Sequence, residues 1–165
     1  MSVETKKEIK EWVLYLVVTF AVINIFLVGL LFRVDGYSMY PTLTDKELLI
    51  SNKFVYHIHA PEKGDIIVFE YPQDKTRTFV KRVIATEGDT VEVKNGKVYV
   101  NDQEMNEKYL WEPTAGYYPK TTVPAGTVFA MGDNRNNSKD SRFADVGFIP
   151  YDIIKGKVMA GCTTF

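Results

Sequence analysis

Two hydrophobicity patterns divide the chain. Residues 12–32 carry no charge, and only Thr19 and Asn24 among them are strongly polar. At 1.5 Å per residue a helix of that length reaches about 30 Å, the thickness of a bilayer's hydrocarbon core. A surface helix of a soluble protein needs a polar face, and none is visible here. A helix buried on all sides would need more surrounding chain than 165 residues supply. A cleaved signal peptide fits no better, because its apolar region runs about 7–15 residues and ends at a small-x-small site. Here the run ends Leu31-Phe32-Arg33-Val34-Asp35. The pattern therefore predicts an uncleaved transmembrane anchor over 12–32. Lys6, Lys7 and Lys10 precede it, interleaved with Glu4, Glu8 and Glu11. Acidic residues count little in the positive-inside rule, so residues 1–11 are expected to be cytoplasmic and 33–165 to work on the far side. Asn24 suits either a helix–helix contact or a tolerated single amide.

Beyond Arg33 the pattern changes to short runs rich in Val, Ile, Phe and Thr, which predict strands over 47–51, 65–71, 77–86, 90–93 and 127–131. The strongest local signal is Val91-Glu92-Val93-Lys94, then Asn95-Gly96, then Lys97-Val98-Tyr99-Val100. Alternating apolar residues around Asn-Gly specify a hairpin, because both turn residues tolerate positive φ. Residues 101–122 are polar and aromatic, with Pro113 and Pro119, and are expected to form a long surface excursion. The fold class that follows is mainly β: a β-rich extracytoplasmic domain over 33–165 behind one N-terminal transmembrane α-helix.

Composition narrows the chemistry by exclusion. The chain is 45% hydrophobic and 25% charged, as expected of a folded protein. A net charge of −1 supplies no basic field, so no nucleic-acid partner is expected. Cys162 is the sole cysteine, so no disulfide framework exists. Its Cys162-Thr163-Thr164-Phe165 context is not a prenylation box, because threonine is not aliphatic. His57 and His59 are the only histidines and lack companion ligands at suitable spacing, so no metal site and no cofactor are expected. Gly36-Tyr37-Ser38-Met39-Tyr40 fails the G-x-S-x-G elbow. Pro41 breaks S-x-x-K, and no Walker or dinucleotide glycine pattern is present.

Three segments remain. Ser38 lies just past the apolar span in Gly36-Tyr37-Ser38-Met39-Tyr40-Pro41-Thr42-Leu43, where Pro41 restricts the backbone. Lys81 lies in Phe79-Val80-Lys81-Arg82-Val83-Ile84-Ala85, a pattern equally suited to a solvated strand face. The segment from Gly132 to Arg142, Gly-Asp-Asn-Arg-Asn-Asn-Ser-Lys-Asp-Ser-Arg, is almost devoid of apolar side chains, as a hydrogen-bonded loop or an exposed turn would be. Read singly, each is ordinary. Their order is not: Ser-Met-x-Pro-Thr-Leu, Gly-Asp-Ile-Ile-Val-Phe, Lys-Arg-Val-Ile-Ala with Glu-Gly-Asp, and Gly-Asp-Asn-Arg-x-x-Ser-x-Asp-Ser-Arg follow one another behind an N-terminal span. That series resembles the type I signal peptidase family over nearly the whole chain.

The resemblance implies a membrane-bound serine endopeptidase that removes signal peptides from exported preproteins through a Ser–Lys dyad. By motif position Ser38 maps to the nucleophile, Lys81 to the general base and Ser138 to a hydroxyl that orients the lysine. Asp140 and Arg142 map to a supporting ion pair, with Asp133 a further polar member of their loop. The implied partners are signal-peptide-bearing preproteins and membrane phospholipid. The implied location is the bacterial cytoplasmic membrane, ahead of an organellar inner membrane.

Physical chemistry adds requirements. A lysine accepts a proton only when neutral, yet its free pKa is about 10.4, so Lys81 must be buried, with Phe79, Val80 and Val83 as the neighbours available. Ser38 would attack the scissile carbonyl and form an acyl-enzyme, with its own backbone N–H as the first oxyanion donor. Some relatives place a serine two positions before the nucleophile to complete that hole; Gly36 cannot do so. Substrate is expected to pair as an added strand, with Val34, Met39, Leu43, Phe79 and Val80 near the pocket; the resemblance implies small substrate residues at −1 and −3, which suit shallow apolar subsites. A self-cleaving Ser–Lys repressor would carry a DNA-binding module where this chain has an apolar span. An inactive membrane scaffold is disfavoured by the presence of both Ser38 and Lys81.

Overall fold

The computed structural model describes residues 3–27 and 29–162. The tail after Cys162 and the side chains of Asn24 and Cys162 lie outside the described residues. One helix, α1 (Val3–Leu27), precedes eleven strands: β1 (Gly29–Arg33), β2 (Leu48–Asn52), β3 (Ile66–Tyr71), β4 (Asp74–Thr86), β5 (Thr90–Lys94), β6 (Lys97–Val100), β7 (Gln103–Glu104), β8 (Tyr118–Thr122), β9 (Thr127–Met131), β10 (Ile149–Pro150) and β11 (Ile154–Cys162). The protein is mainly β, and the predicted hairpin is β5–β6, with Asn95 at φ 52° and Gly96 at φ 78°.

The apolar span differs from expectation at its C-terminal end. The helix stops at Leu27, and residues 29–33 of the chain pair antiparallel with β2, Leu31 opposite Ile50 and Arg33 opposite Leu48. The charge-free part of α1, residues 12–27, therefore spans only about 24 Å at 1.5 Å per residue. No helix among the described residues is long and apolar enough to cross a membrane. Along α1, Trp12, Leu14, Tyr15, Leu16 and Phe20 are nonetheless exposed.

Seven strands form one antiparallel sheet in the order β1-β2-β11-β3-β4-β9-β10, and four form a second in the order β7-β6-β5-β8. Strand β11, absent from the sequence-based expectation, sits centrally between β2 and β3. Its lysines disguise it. Lys155 pairs with Glu70 at 2.5 Å and Lys157 with Asp65 at 2.6 Å. At Gly156 a Cβ would press on the backbone of Asn52 and Lys53, so a glycine stands where a strand pattern would show a side chain.

Three apolar clusters hold the sheets together. Ile67, Phe69, Val83, Ala130 and Ile149 form one, and Ile84, Val91, Val98, Phe129 and Met131 join the two sheets in another. Val34, Met39, Leu43 and Leu49 form the third, with Phe32, Ile66, Val80 and Val158 against it. This third cluster seats the segment after β1 over the middle of β4. It brings Ser38 to Lys81 across 43 residues of chain.

Candidate active site

Strand β4 alternates its side chains between two apolar clusters. Phe79 and Val83 face one, Val80 faces the other, and Lys81 lies on the Phe79 side. Its ammonium nitrogen is 5.2 Å from the centre of the Phe79 ring. Lys81 is only 3% exposed. Burial, opposed by the charges of Asp140 and Asp133, lowers its pKa to about 8. Its Nζ lies 2.8 Å from Ser38 Oγ and 2.8 Å from the Val80 carbonyl oxygen. A neutral amine held there can accept the hydroxyl proton, and the Val80 carbonyl fixes the direction of its remaining N–H.

The segment bearing Ser38 is anchored from several sides. Asn134 donates its backbone N–H to the Ser38 carbonyl at 3.0 Å and its side-chain amide to the Tyr37 carbonyl at 3.0 Å. Met39, 1% exposed, roots the segment in the third cluster. Thr42 donates to Asp133 Oδ2 at 2.5 Å. Gly36 adopts φ +99°, a conformation favouring glycine, and gives its N–H to Asp45 Oδ1 at 2.7 Å. That amide is therefore already engaged.

The polar loop is a buried charge network, not an exposed turn. Asp140 is fully buried and takes two donors from Arg142, at 2.8 and 2.9 Å, so the expected ion pair forms with both carboxylate oxygens engaged. Asp140 Oδ2 also accepts the Gly132 N–H at 3.0 Å and the Ser138 hydroxyl at 2.8 Å. The Ser138 hydroxyl, which the motif maps to a group that orients the lysine, is directed at Asp140 in this structure. Gly132 explains the close approach: a Cβ there would overlap both Ser138 and the Ser38 carbonyl.

Asp133, 1% exposed, is clasped by Arg82, whose Nε and Nη2 reach its two oxygens at 2.9 and 2.7 Å. Arg82 also donates to the Gly64 carbonyl and stacks over Tyr109 at 4.1 Å. Sequence reasoning missed Arg82, Thr42, Arg135 and Glu107. Thr42, Arg82 and Arg135 are letters of the motifs quoted above, but nothing in the sequence assigned them partners, and Glu107 lies outside every motif.

A cleft of about 280 Å³ opens at the dyad, lined by Phe32, Val34, Ser38, Met39, Phe79 and Val80 among others. Four of the five expected subsite residues line it. The fifth, Leu43, packs beneath, against Val34, Met39 and Leu49. Strand β1 is a sheet edge, and β9 pairs with β4 only from Arg82 onward, so both strands bordering the cleft offer unpaired backbone there. His57 stacks on Phe54 and His59 packs edge-on against Tyr56. Among the described residues no cluster of three or more His, Cys, Asp or Glu side chains could hold a metal ion.

Comparison with known proteins gives a consistent result. The family model described as "Signal peptidase, peptidase S26" matches residues 6–162. A probable signal peptidase I-1 of Synechocystis sp. is 46% identical over 129 residues, covering 74% of this chain and 65% of that protein. Signal peptidase IB of Staphylococcus aureus strain COL is 38% identical over 175 residues, covering 93% and 88%. The chain thus spans just under two thirds of the Synechocystis protein but most of the staphylococcal one. A crystal structure of a signal peptidase I from Enterococcus faecalis V583 superposes with a TM-score of 0.51 at 31% identity, covering 61% of this chain and 97% of that one.

Proposed function

The chain belongs to the signal peptidase family, peptidase S26, and we propose that it is a membrane-anchored serine endopeptidase that removes signal peptides from exported preproteins. The observation that carries the catalytic reading is the 2.8 Å approach of a buried Lys81 amine to Ser38 Oγ at the floor of a cleft.

In this reading neutral Lys81 takes the hydroxyl proton as Ser38 Oγ bonds to the scissile carbonyl carbon. The resulting ammonium returns that proton to the leaving amine, which departs as the mature protein. The acyl-enzyme ester remains on Ser38. Lys81 then activates a water, and its attack releases the signal peptide and restores the serine. The Ser38 N–H serves as one oxyanion donor. The Gly36 amide, bound to Asp45, does not serve as another. Ser138 acts through Asp140: it helps fix the carboxylate whose charge the lysine feels.

Substrate enters as an extended strand between the open edges of β1 and residues 78–81 of β4. Val34, Met39, Phe79 and Val80 form its shallow apolar subsites, which suit small side chains, and Leu43 supports them from below. The apolar helix embeds in the bilayer with the lysine-rich N-terminus on the cytoplasmic side, in the cytoplasmic membrane of a bacterium. The exposure of the large apolar side chains of Trp12, Leu14 and Leu16 favours that setting.

The deciding experiment incubates purified full-length protein with a preprotein and sequences the new N-terminus. Wild type cuts after a small residue, whereas Ser38→Ala and Lys81→Ala do not. Undiminished cleavage by Lys81→Ala would remove the dyad, and no cleavage by wild type would leave a binding protein.

A further inference from the structure

The excursion over 101–122 has no part in the chemistry above, yet it reaches the polar loop repeatedly. Ala115 donates its N–H to Asn136 Oδ1 at 2.8 Å, and Asn136 donates to the Pro113 carbonyl at 3.2 Å. Trp111 packs edge-on against Tyr40, two residues past the nucleophile, at 5.9 Å. The innermost contact is ionic. Glu107 meets Arg135 with both oxygens, at 2.9 and 2.5 Å.

Arg135 is among the most enclosed side chains in the protein, at 2% exposure with its guanidinium side chain wholly covered. Its donors are all directed. Nε reaches the Gly132 carbonyl at 3.1 Å, Nη1 reaches Glu107 and Thr114 Oγ1 at 2.9 Å each, and Nη2 reaches Glu107. Its own carbonyl accepts Arg142 Nη2 at 2.6 Å. A buried guanidinium requires a carboxylate partner, because an unpaired charge there is far costlier than the pair. The other two buried carboxylates of the loop are committed, Asp133 to Arg82 and Asp140 to Arg142. Glu107 is left to neutralise Arg135.

What Arg135 holds bears directly on the dyad. Gly132 touches Ser138 and the Ser38 carbonyl, and Arg142 holds Asp140, which in turn holds Ser138 and the Gly132 N–H. From this geometry we propose that Glu107 is a positioning residue of the peptidase: through Arg135 it locks the loop over 132–142 against the Ser38 and Lys81 segments. The excursion is thereby a clamp on the active site. The inference rests on the peptidase reading and adds to it a residue that touches neither substrate nor dyad.

Full-length Glu107→Gln and Glu107→Asp are compared with wild type for kcat and KM on a preprotein, with the pH dependence of kcat/KM and the melting temperature measured alongside. Assays run well below each variant's melting temperature. A displacement of the catalytic loop on the ångström scale predicts a fall in kcat of about 100-fold for Glu107→Gln. KM should stay within about twofold of wild type and the acid limb of the pH profile should move, because Lys81 sits in an altered field. Glu107→Asp keeps the charge and should lose less. Asp102→Asn, on an exposed pair with Lys120, should match wild type throughout. A lowered melting temperature with wild-type kcat and pH profile would overturn the proposal, because Glu107 would then be only a stability element. If Glu107→Gln does not fold, Glu107→Asp decides alone. Reduced kcat at unchanged KM supports positioning, and wild-type kcat overturns it. Failure of wild type to cleave at all would instead strike the peptidase reading.

Discussion

Replacing Lys81 by Met tests the proposed base through two independent measurements. Burial holds the lysine pKa at about 8 against an ordinary 10.5. At pH 7 about one molecule in ten then carries a neutral amine, against about one in 3,000 for a free lysine. For wild type, kcat/KM should therefore fall about tenfold per pH unit below 7 and level off above about 9. Lys81→Met should abolish cleavage at every pH.

The same depression has a signed consequence for stability. The folded-state pKa lies below the unfolded one, so the burial penalty is fully present below about 8. Between about 8 and 10.5 the unfolded chain holds a proton that the folded chain lacks, and stability rises with pH across that window. From pH 7 to pH 10 this one group should add about 2 to 3 kcal/mol to wild type and nothing to Lys81→Met. The difference between the two proteins cancels every other titration. Denaturant unfolding of each at pH 7, 8, 9 and 10 reads it directly. The variant should be favoured near neutrality, less about 1 kcal/mol for each hydrogen bond lost to Ser38 and Val80. That advantage should shrink steadily with pH. A stability difference constant from pH 7 to 10, or a kcat/KM flat from pH 6 to 9, would refute the reasoning.

Three further outcomes follow from the same geometry. Arg82→Met leaves Asp133 buried with only Thr42, so stability should fall by about 3–5 kcal/mol in urea unfolding, and the acid limb of kcat/KM should move to higher pH as the uncompensated carboxylate favours the Lys81 ammonium. Gly132→Ala forces a methyl into Ser138 and the Ser38 carbonyl, so kcat should drop about 100-fold; wild-type turnover would mean the loop moves freely. Removing residues 1–27 should abolish flotation with phospholipid vesicles while cleavage of a short soluble peptide persists, and failure of the full chain to float would discard the anchor.

Much of the fold was legible because its strands are runs rich in β-branched and aromatic residues, alternating in the hairpin. The Asn95-Gly96 hairpin and the strands around Val68, Lys81 and Phe129 follow from local pattern alone. Strand β1 did not, since a run of apolar residues continuing a helix reads the same whether it stays helical or pairs with a neighbour. Strand β11 was hidden because its lysines and glycines are explained only by partners far away in sequence. Ser38, Lys81, Asp140 and Arg142 could be named from motif order. Their distances could not, nor could the bond by which the Ser138 hydroxyl reaches Asp140. Glu107 and Thr114 carried no signal at all: in a polar, proline-bearing stretch, a buried ionic partner looks like a solvated one.

The proposed dyad would impose opposing demands that this loop reconciles. A lysine acting as base must lie in an environment dry enough to shed its proton, yet the segments around Lys81 are held by buried acceptors: Asp140 takes the Gly132 N–H and Asp133 takes the Thr42 hydroxyl. Both carboxylates pull the lysine back toward its charged form. An arginine on each offsets that pull without filling the space beside Lys81: Arg82 on Asp133 and Arg142 on Asp140. Arginine suits the task because its fork engages both oxygens and it stays charged where a second lysine would itself titrate. A third pair, Arg135 with Glu107, neutralises the loop's other buried guanidinium from outside the loop. The polar composition from Gly132 to Arg142 is what the proposed use of a lysine as base would require. Every carboxylate near it needs a cation, and every such cation needs a fixed position.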